Sequence, residues 1–260
     1  MNVLQGIIAG VLEDQKKREI SDTQLDELIA AAVPPIPVLE MFRSKKLSVI
    51  AEVKRSSPSK GALAEIPEPD ALARKYQHSG ASVISVLTEE RKFGGSLRDL
   101  TAVKSAVEIP VLRKEFIVNE YLVKESRAFG ADLILLIAAA LDNSQLKDLY
   151  HLAQELGMSV LLEVHDELEL ERALDIQPAI IGINSRNLKT LEIDVSNFTN
   201  LLPKVPENII RVAESGIAST AEVELAVRSG ANAILVGESL VKAEVPEQRI
   251  KDFLNVANLI

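Results

Sequence analysis

Glu52 and Lys54 stand two positions apart at the end of the apolar run Val49-Ile50-Ala51-Glu52-Val53-Lys54. Side chains alternate along an extended strand, so Ile50, Glu52 and Lys54 share one face and Val49, Ala51 and Val53 the other. A carboxylate inside such a run is costly unless it is paired or has work to do. The same arrangement recurs. Lys114 closes Val111-Leu112-Arg113, Glu163 closes Val160-Leu161-Leu162, and Asn184 closes Ile180-Ile181-Gly182-Ile183. One polar residue at a strand end is ordinarily just solvated. Two amines, two carboxylates and an amide, at the ends of four separate apolar runs, form a set that could move protons. A structural ion-pair network is the competing interpretation, and the number of converging groups favours chemistry.

A second constellation lies nearer the C-terminus. Glu214-Ser215-Gly216 follows one apolar run and Gly237-Glu238-Ser239-Leu240 follows the next, with a short helix expected to begin there. Backbone N–H groups at such a turn can bind a phosphate, and glycine permits the close approach this needs. Ser215, Gly216, Gly237 and Glu238 are the candidates, with Glu238 expected to offer its N–H and turn its carboxylate away. The three histidines supply no metal site: His78 and His151 fall on expected helices, and His165, just past Glu163, supports a loop. The chain has no cysteine. No metal is expected from these residues.

The elements that must hold these residues alternate regularly. Strands are expected at Ser48–Lys54, Ser82–Thr88, Val111–Lys114, Asp132–Ala138, Ser159–Val164, Ala179–Asn184, Ile209–Ser215 and Ala233–Gly237. Between them, amphipathic segments predict helices at Asp70–His78, Ser96–Val107, Glu120–Phe129, Asn143–Leu156, Asp166–Leu174, Val195–Leu202, Ser219–Arg228 and Pro246–Ala257. Gly80, Gly130, Gly157 and Gly230 are their stops. Eight such units predict an α/β fold, a (β/α)8 barrel, whose active site gathers at the C-terminal ends of the strands. An open doubly wound sheet is the alternative, but no G-x-G-x-x-G opens a helix after the first strand. The first 46 residues predict helices at Val3–Glu19 and Thr23–Ala32, then a proline-rich link. They form an N-terminal helical extension, either a cap on the barrel or a neighbour of the substrate. The expectation is one domain over 1–260, with the barrel at 47–260.

Composition narrows the partners. With 29 Lys and Arg against 38 Asp and Glu, the formal charge is −9. Such an acidic exterior repels nucleic acid and cannot steer an anion from afar, so any phosphate site is built locally. The longest apolar run, Leu133–Leu141, is too short to span a bilayer, and no basic leader precedes an apolar stretch. A cytoplasmic monomer or weak homo-oligomer, with no membrane partner, is expected.

Taken in order, these residues resemble the indole-3-glycerol-phosphate synthase family, from Leu47 to the end of the chain. The stretch Ile50-Ala51-Glu52-Val53-Lys54-Arg55-Ser56-Ser57-Pro58-Ser59-Lys60-Gly61 is similar to the family signature. SVLTE (85–89), FGGS (Phe93–Ser96), RKEFIV (Arg113–Val118), LLEVH (161–165), GINSRNL (Gly182–Leu188), AESGI (213–217) and VGESL (236–240) add to it. The resemblance implies a small-molecule substrate, 1-(o-carboxyphenylamino)-1-deoxyribulose 5-phosphate. It would be converted to indole-3-glycerol phosphate with loss of carbon dioxide and water and with no organic cofactor, as a carboxy-lyase of tryptophan biosynthesis.

By the same resemblance Lys114 is the general acid of ring closure, and Lys54 paired with Glu163 serves the later dehydration. Glu52 orients Lys114 or acts as base, and Asn184 holds a substrate hydroxyl or carboxylate. Ser57, Arg186 and Glu214 hold the anthranilate carboxylate region, and Phe93, Phe116, Leu135 and Leu188 line the slot for its ring. Lys54, Ser215, Gly216, Gly237 and Glu238 surround the phosphate, and Ser215 counts among the catalytic residues as well. Two rival functions remain at this stage: another phosphate-binding barrel enzyme, such as a phosphoribosylanthranilate isomerase, and a sugar-phosphate sensor without activity. The joint presence of Glu52, Lys54, Lys114 and Glu163 argues against the first, and Lys114 with Glu163 against the second.

Overall fold

The computed structural model of the chain describes residues 3–43, 46–188 and 190–259. Eight parallel strands close into a barrel: β1 (Ser48–Val53), β2 (Val83–Leu87), β3 (Val111–Lys114), β4 (Leu133–Ile137), β5 (Ser159–Val164), β6 (Ile180–Asn184), β7 (Ile210–Glu214) and β8 (Ala233–Val236). Each pairs with its successor, and β8 returns to β1 through Ser48↔Ala233 to Ala51↔Val236. Val, Ile and Leu dominate these strands because both faces are buried, one in the barrel interior and one under the helices. The strands therefore fall within the expected spans, shortened by a residue or so where the flanking groups leave the ladder.

Helices occupy the outside. Three precede the barrel: α1 (Val3–Arg18), α2 (Asp22–Ala31) and α3 (Leu39–Arg43). The rest are α4 (Pro69–His78), α5 (Leu97–Ala106), α6 (Glu120–Ala128), α7 (Asn143–Glu155), α8 (Glu167–Leu174), α9 (Ser196–Leu201), α10 (Thr220–Arg228), α11 (Glu238–Val241) and α12 (Pro246–Leu259). Ser96, Asn119, Asp142, Asp166 and Ser219 cap five of them by accepting a backbone N–H. All four glycines expected as helix stops take left-handed backbone, with φ between +78° and +101°. Two elements escape the sequence reading: α3, whose Phe42 is buried, and a two-stranded hairpin pairing Ser56–Ser57 with Gly61–Ala62 after β1.

The N-terminal extension is fixed to the barrel by charge. Arg18 grips the Glu125 carboxylate of α6 with Nε at 2.8 Å and Nη2 at 3.0 Å, and Arg113 of β3, fully buried, reaches the same carboxylate at 2.8 Å. A buried guanidinium is tolerable only when its donors are met, and Thr88 Oγ1 and Ser126 Oγ take two more. Further toward the rim, Arg91 of the β2–α5 loop donates to both oxygens of Asp14 on α1, at 2.6 and 2.7 Å. These clamps lay α1 over the β2–β3 sector of the C-terminal rim.

Candidate active site

A cavity of about 440 Å³ opens at the C-terminal ends of the strands. Every candidate residue lines it: Glu52, Lys54, Ser57, Phe93, Lys114, Phe116, Leu135, Glu163, Asn184, Arg186, Leu188, Glu214, Ser215, Gly216, Gly237 and Glu238. They come from all parts of the barrel because strand alternation sends every second side chain inward, and the last inward residue of each strand meets the mouth.

Lys114 sits at the centre. Its ammonium donates to Glu163 Oε2 at 2.8 Å and to Glu214 Oε2 at 2.7 Å. Burial alone would drive the proton off this amine, but the charges of Glu163, Glu214 and Glu52 more than offset it and hold the pKa above the ordinary lysine value. The two carboxylates fare differently. Burial would raise Glu163, yet Lys114 and His165 pull it well below the usual carboxylate range. Glu214 is pushed up to about 8, by burial first, with Lys114 opposing and the Glu163 charge adding to the rise. Two acids on one amine thus share their protons unequally.

Glu52 and Lys54 lie across the cavity. Lys54 Nζ is 3.4 Å from Glu52 Oε1 and stands 5.5 Å from the centre of the Phe93 ring, as a cation over an aromatic face. Lys54, expected to act with Glu163, is held in this structure by its strand neighbour Glu52, while Glu163 is taken by Lys114. Glu52 makes no hydrogen bond to Lys114 and acts on it through its charge alone. Ser85 Oγ reaches its other oxygen at 3.5 Å.

Glycines make room for two of these acids. A Cβ at Gly182 would collide with Glu214 Oε1, and one at Gly237 would collide with Glu52 Oε1. Gly237 was expected to admit a phosphate; its bare Cα also seats a carboxylate. At Gly216, left-handed with φ +73°, a Cβ would meet Ile193 and Val195 at 2.8 Å. Ser215, just before it, takes φ +65°, a conformation that a residue with a side chain holds only under constraint, as is common at functional turns.

Around this centre, Phe93 and Phe116 form one wall with ring centres 6.0 Å apart. Asn184 Oδ1 accepts the Arg186 N–H at 2.9 Å, which leaves its amide NH2 to donate. Arg186 Nη1 donates to Ser59 Oγ at 3.2 Å and to the Leu191 carbonyl at 2.9 Å. Ser57 is buried with no hydrogen-bond partner for its Oγ. Glu238, which starts α11, turns its carboxylate to Lys60 at 2.7 Å and Lys242 at 2.8 Å.

Some contributors were not anticipated. Val3, Leu4 and Ile7 of α1 line the cavity, so the extension neighbours the site. Buried Glu89 accepts the backbone N–H groups of Arg91, Lys92 and Phe93 and so fixes the loop that carries the Phe93 ring. Glu89 could have been noticed as an acid closing the run SVLTE, whereas the contact of α1 leaves no local signal. Among the described residues no group of three or more His, Asp or Glu is set to hold a metal ion, and no helix is long and apolar enough to cross a membrane.

Fold and rim together define a (β/α)8 barrel with a cluster of acids and amines at the C-terminal ends of its strands, the arrangement of a barrel enzyme's active site. Comparison with known proteins makes this particular. The sequence profile of the indole-3-glycerol phosphate synthase family matches residues 4–253. The chain is 49% identical to the indole-3-glycerol phosphate synthase of Micrococcus luteus, covering 97% of both chains. It is 53% identical to that of a Nocardioides species, covering 98% of this chain and 99% of the other. Among solved structures, the 3-hexulose-6-phosphate synthase of Salmonella typhimurium superposes with a TM-score of 0.67 at 16% identity, over 82% of this chain and 99% of that one, a likeness of fold. The chain belongs to the indole-3-glycerol phosphate synthase family. Its activity is that of an enzyme of tryptophan biosynthesis acting on a small molecule. Neither the isomerase nor the inactive sensor survives that membership.

Proposed function

We propose that the chain works as a metal-free carboxy-lyase in which Lys114 is the general acid of ring closure. The observation that carries this reading is the Lys114 ammonium, buried in the cavity floor and held charged between Glu163 and Glu214. In 1-(o-carboxyphenylamino)-1-deoxyribulose 5-phosphate, the ring carbon bearing the carboxylate attacks the ribulose carbonyl. Lys114 gives its proton to the carbonyl oxygen as the new carbon–carbon bond forms. Carbon dioxide then leaves and its bonding electrons restore the aromatic ring. The hydroxyl produced departs as water with a proton from Lys54, and a carboxylate takes the proton released from carbon. Glu163, the more strongly ionised of the two acids on Lys114, is that base, and Glu52 holds Lys54 in place by an ion pair at 3.4 Å.

The remaining residues hold the substrate. Phe93, Phe116, Leu135 and Leu188 receive the aromatic ring. The unpartnered Ser57 hydroxyl, Arg186 and a protonated Glu214 can all donate to the anthranilate carboxylate. Asn184 donates to a hydroxyl of the ribulose chain. Lys54, Ser215 and the backbone at Gly216, Gly237 and Glu238 take the phosphate, within an otherwise acidic molecule. We read the chain as one domain, since its core runs unbroken from Leu4 in α1 to Ala257 in α12. A phosphorylated substrate does not cross membranes unaided, which places the enzyme in the cytoplasm. A monomer or weak homo-oligomer suffices because the cavity is lined from within one chain, and no nucleic-acid or membrane partner is invoked.

The test is direct. Purified protein mixed with the substrate, chelator present and no metal added, should develop indole fluorescence at once. No product from folded protein would refute the reading, and product only on adding a divalent metal would refute its metal-free part.

A further inference from the structure

Behind Glu163, outside the cavity wall, lies a histidine that the proposed reaction does not use. His165 Nε2 is 3.2 Å from Glu163 Oε1, while Lys114 occupies the other oxygen of that carboxylate. On its far side His165 Nδ1 lies 2.9 Å from Glu169 Oε2 in the first turn of α8, which also accepts the His165 backbone N–H at 2.9 Å. Both ring nitrogens thus face carboxylate oxygens. A neutral imidazole has a hydrogen on only one nitrogen and would set a lone pair against one of the two acids, so the geometry calls for the doubly protonated ring.

We propose that His165 is a positioning residue that fixes the Oε1 side of Glu163 and keeps this carboxylate anionic, leaving Glu214 as the acid on Lys114 that carries a proton. The inference rests on Glu163 acting as the base, and adds how the fold assigns that task to one of two similar acids. The contact to Glu163 is an ion pair slightly off the line of a good N–H···O bond, since Nε2 has no aligned acceptor. Around the ring, the charged groups are Glu163 on its own strand, Glu169 of α8 and, one carboxylate further, Lys114 and Glu214. Among the described residues α9 contributes the uncharged Asn197, whose amide donates to the His165 carbonyl at 3.3 Å, and Asp166 is engaged as the cap of α8. Burial would deprotonate the ring, but Glu163 and Glu169 outweigh it and hold its pKa up to about 10. Glu214 has no such second cation: its Oε1 rests against Gly182 without a hydrogen-bond donor.

Three measurements on the full chain test this. In 15N-histidine-labelled wild-type protein, the signals that vanish in His165→Gln belong to His165, and they should report a doubly protonated ring at pH 8. In His165→Gln the acid limb of the kcat–pH profile should move up by at least about one pH unit, so that at a fixed pH on that limb kcat falls about tenfold, with KM changed less than about threefold. A neutral ring at pH 7, or a profile superimposable on the wild type, would overturn the proposal. Glu163→Gln separates the two layers: if it is inactive while the His165→Gln profile does not move, only the inference about His165 fails. If Glu163→Gln keeps full kcat, Glu163 is not the base and both fail.

Discussion

The carboxylate of Glu214, at the end of β7, rests on the bare Cα of Gly182 in the adjacent β6, where a Cβ would collide with its Oε1. Gly182 lies inside β6 with ordinary extended backbone, so alanine is conformationally acceptable there and its main cost falls on Glu214 and, through it, on Lys114, with Leu161 Cδ1 at 3.2 Å having to give slightly. Gly182→Ala should lower kcat by about a hundredfold, the scale for displacing a catalytic group by about 1 Å, while circular dichroism stays unchanged. A kcat within twofold of the wild type would show that the position of Glu214 does not matter.

The clamp of Arg91 on Asp14 places α1, and with it Leu4 and Ile7, against the cavity. Both partners are partly open to solvent, so this pair adds little to global stability. Arg91→Ala should therefore raise KM at least about threefold and leave the melting temperature nearly unchanged. An unaltered KM would mean that α1 is only a cover.

The two acids on Lys114 predict opposite behaviour with pH. Glu214 has a folded pKa of about 8, raised above the ordinary value of 4.5, so its contribution is fully present below 4.5 and is lost as pH rises through 8. Glu214→Gln abolishes that loss. Urea unfolding at pH 5 and pH 8.5 should show the variant gaining on the wild type by at least about 1.4 kcal/mol between the two, one pKa unit's worth. A constant difference would contradict the assignment of the raised pKa to Glu214.

The barrel was legible because each strand is an apolar run, and most announce themselves a second time by the polar residue that ends them, β4 and β8 excepted. Lys114, Glu163 and Asn184 could be placed on the rim from that pattern alone. What the pattern cannot carry is distance across the barrel. That Lys54 rests on Glu52, and Glu163 on Lys114, could not be read from the spacing of the four residues. The service of Gly182 and Gly237 to the carboxylates of Glu214 and Glu52 is invisible in one dimension, since the acids lie more than thirty positions away in the first case and nearly two hundred in the second. Helix α3 is too short to show a period, and the location of α1 depends on Arg18 and Arg91 finding acids across the fold rather than on its own residues.

The central claim is that Lys114 delivers the proton of ring closure. Lys114→Ala, assayed with the anthranilate-bearing ribulose phosphate beside a phosphate-binding titration on the same protein, tests it most directly. The account predicts that indole formation falls at least about a thousandfold, within the range general acid catalysis supplies, while the fold and the affinity for inorganic phosphate survive. Turnover within tenfold of the wild type would contradict it.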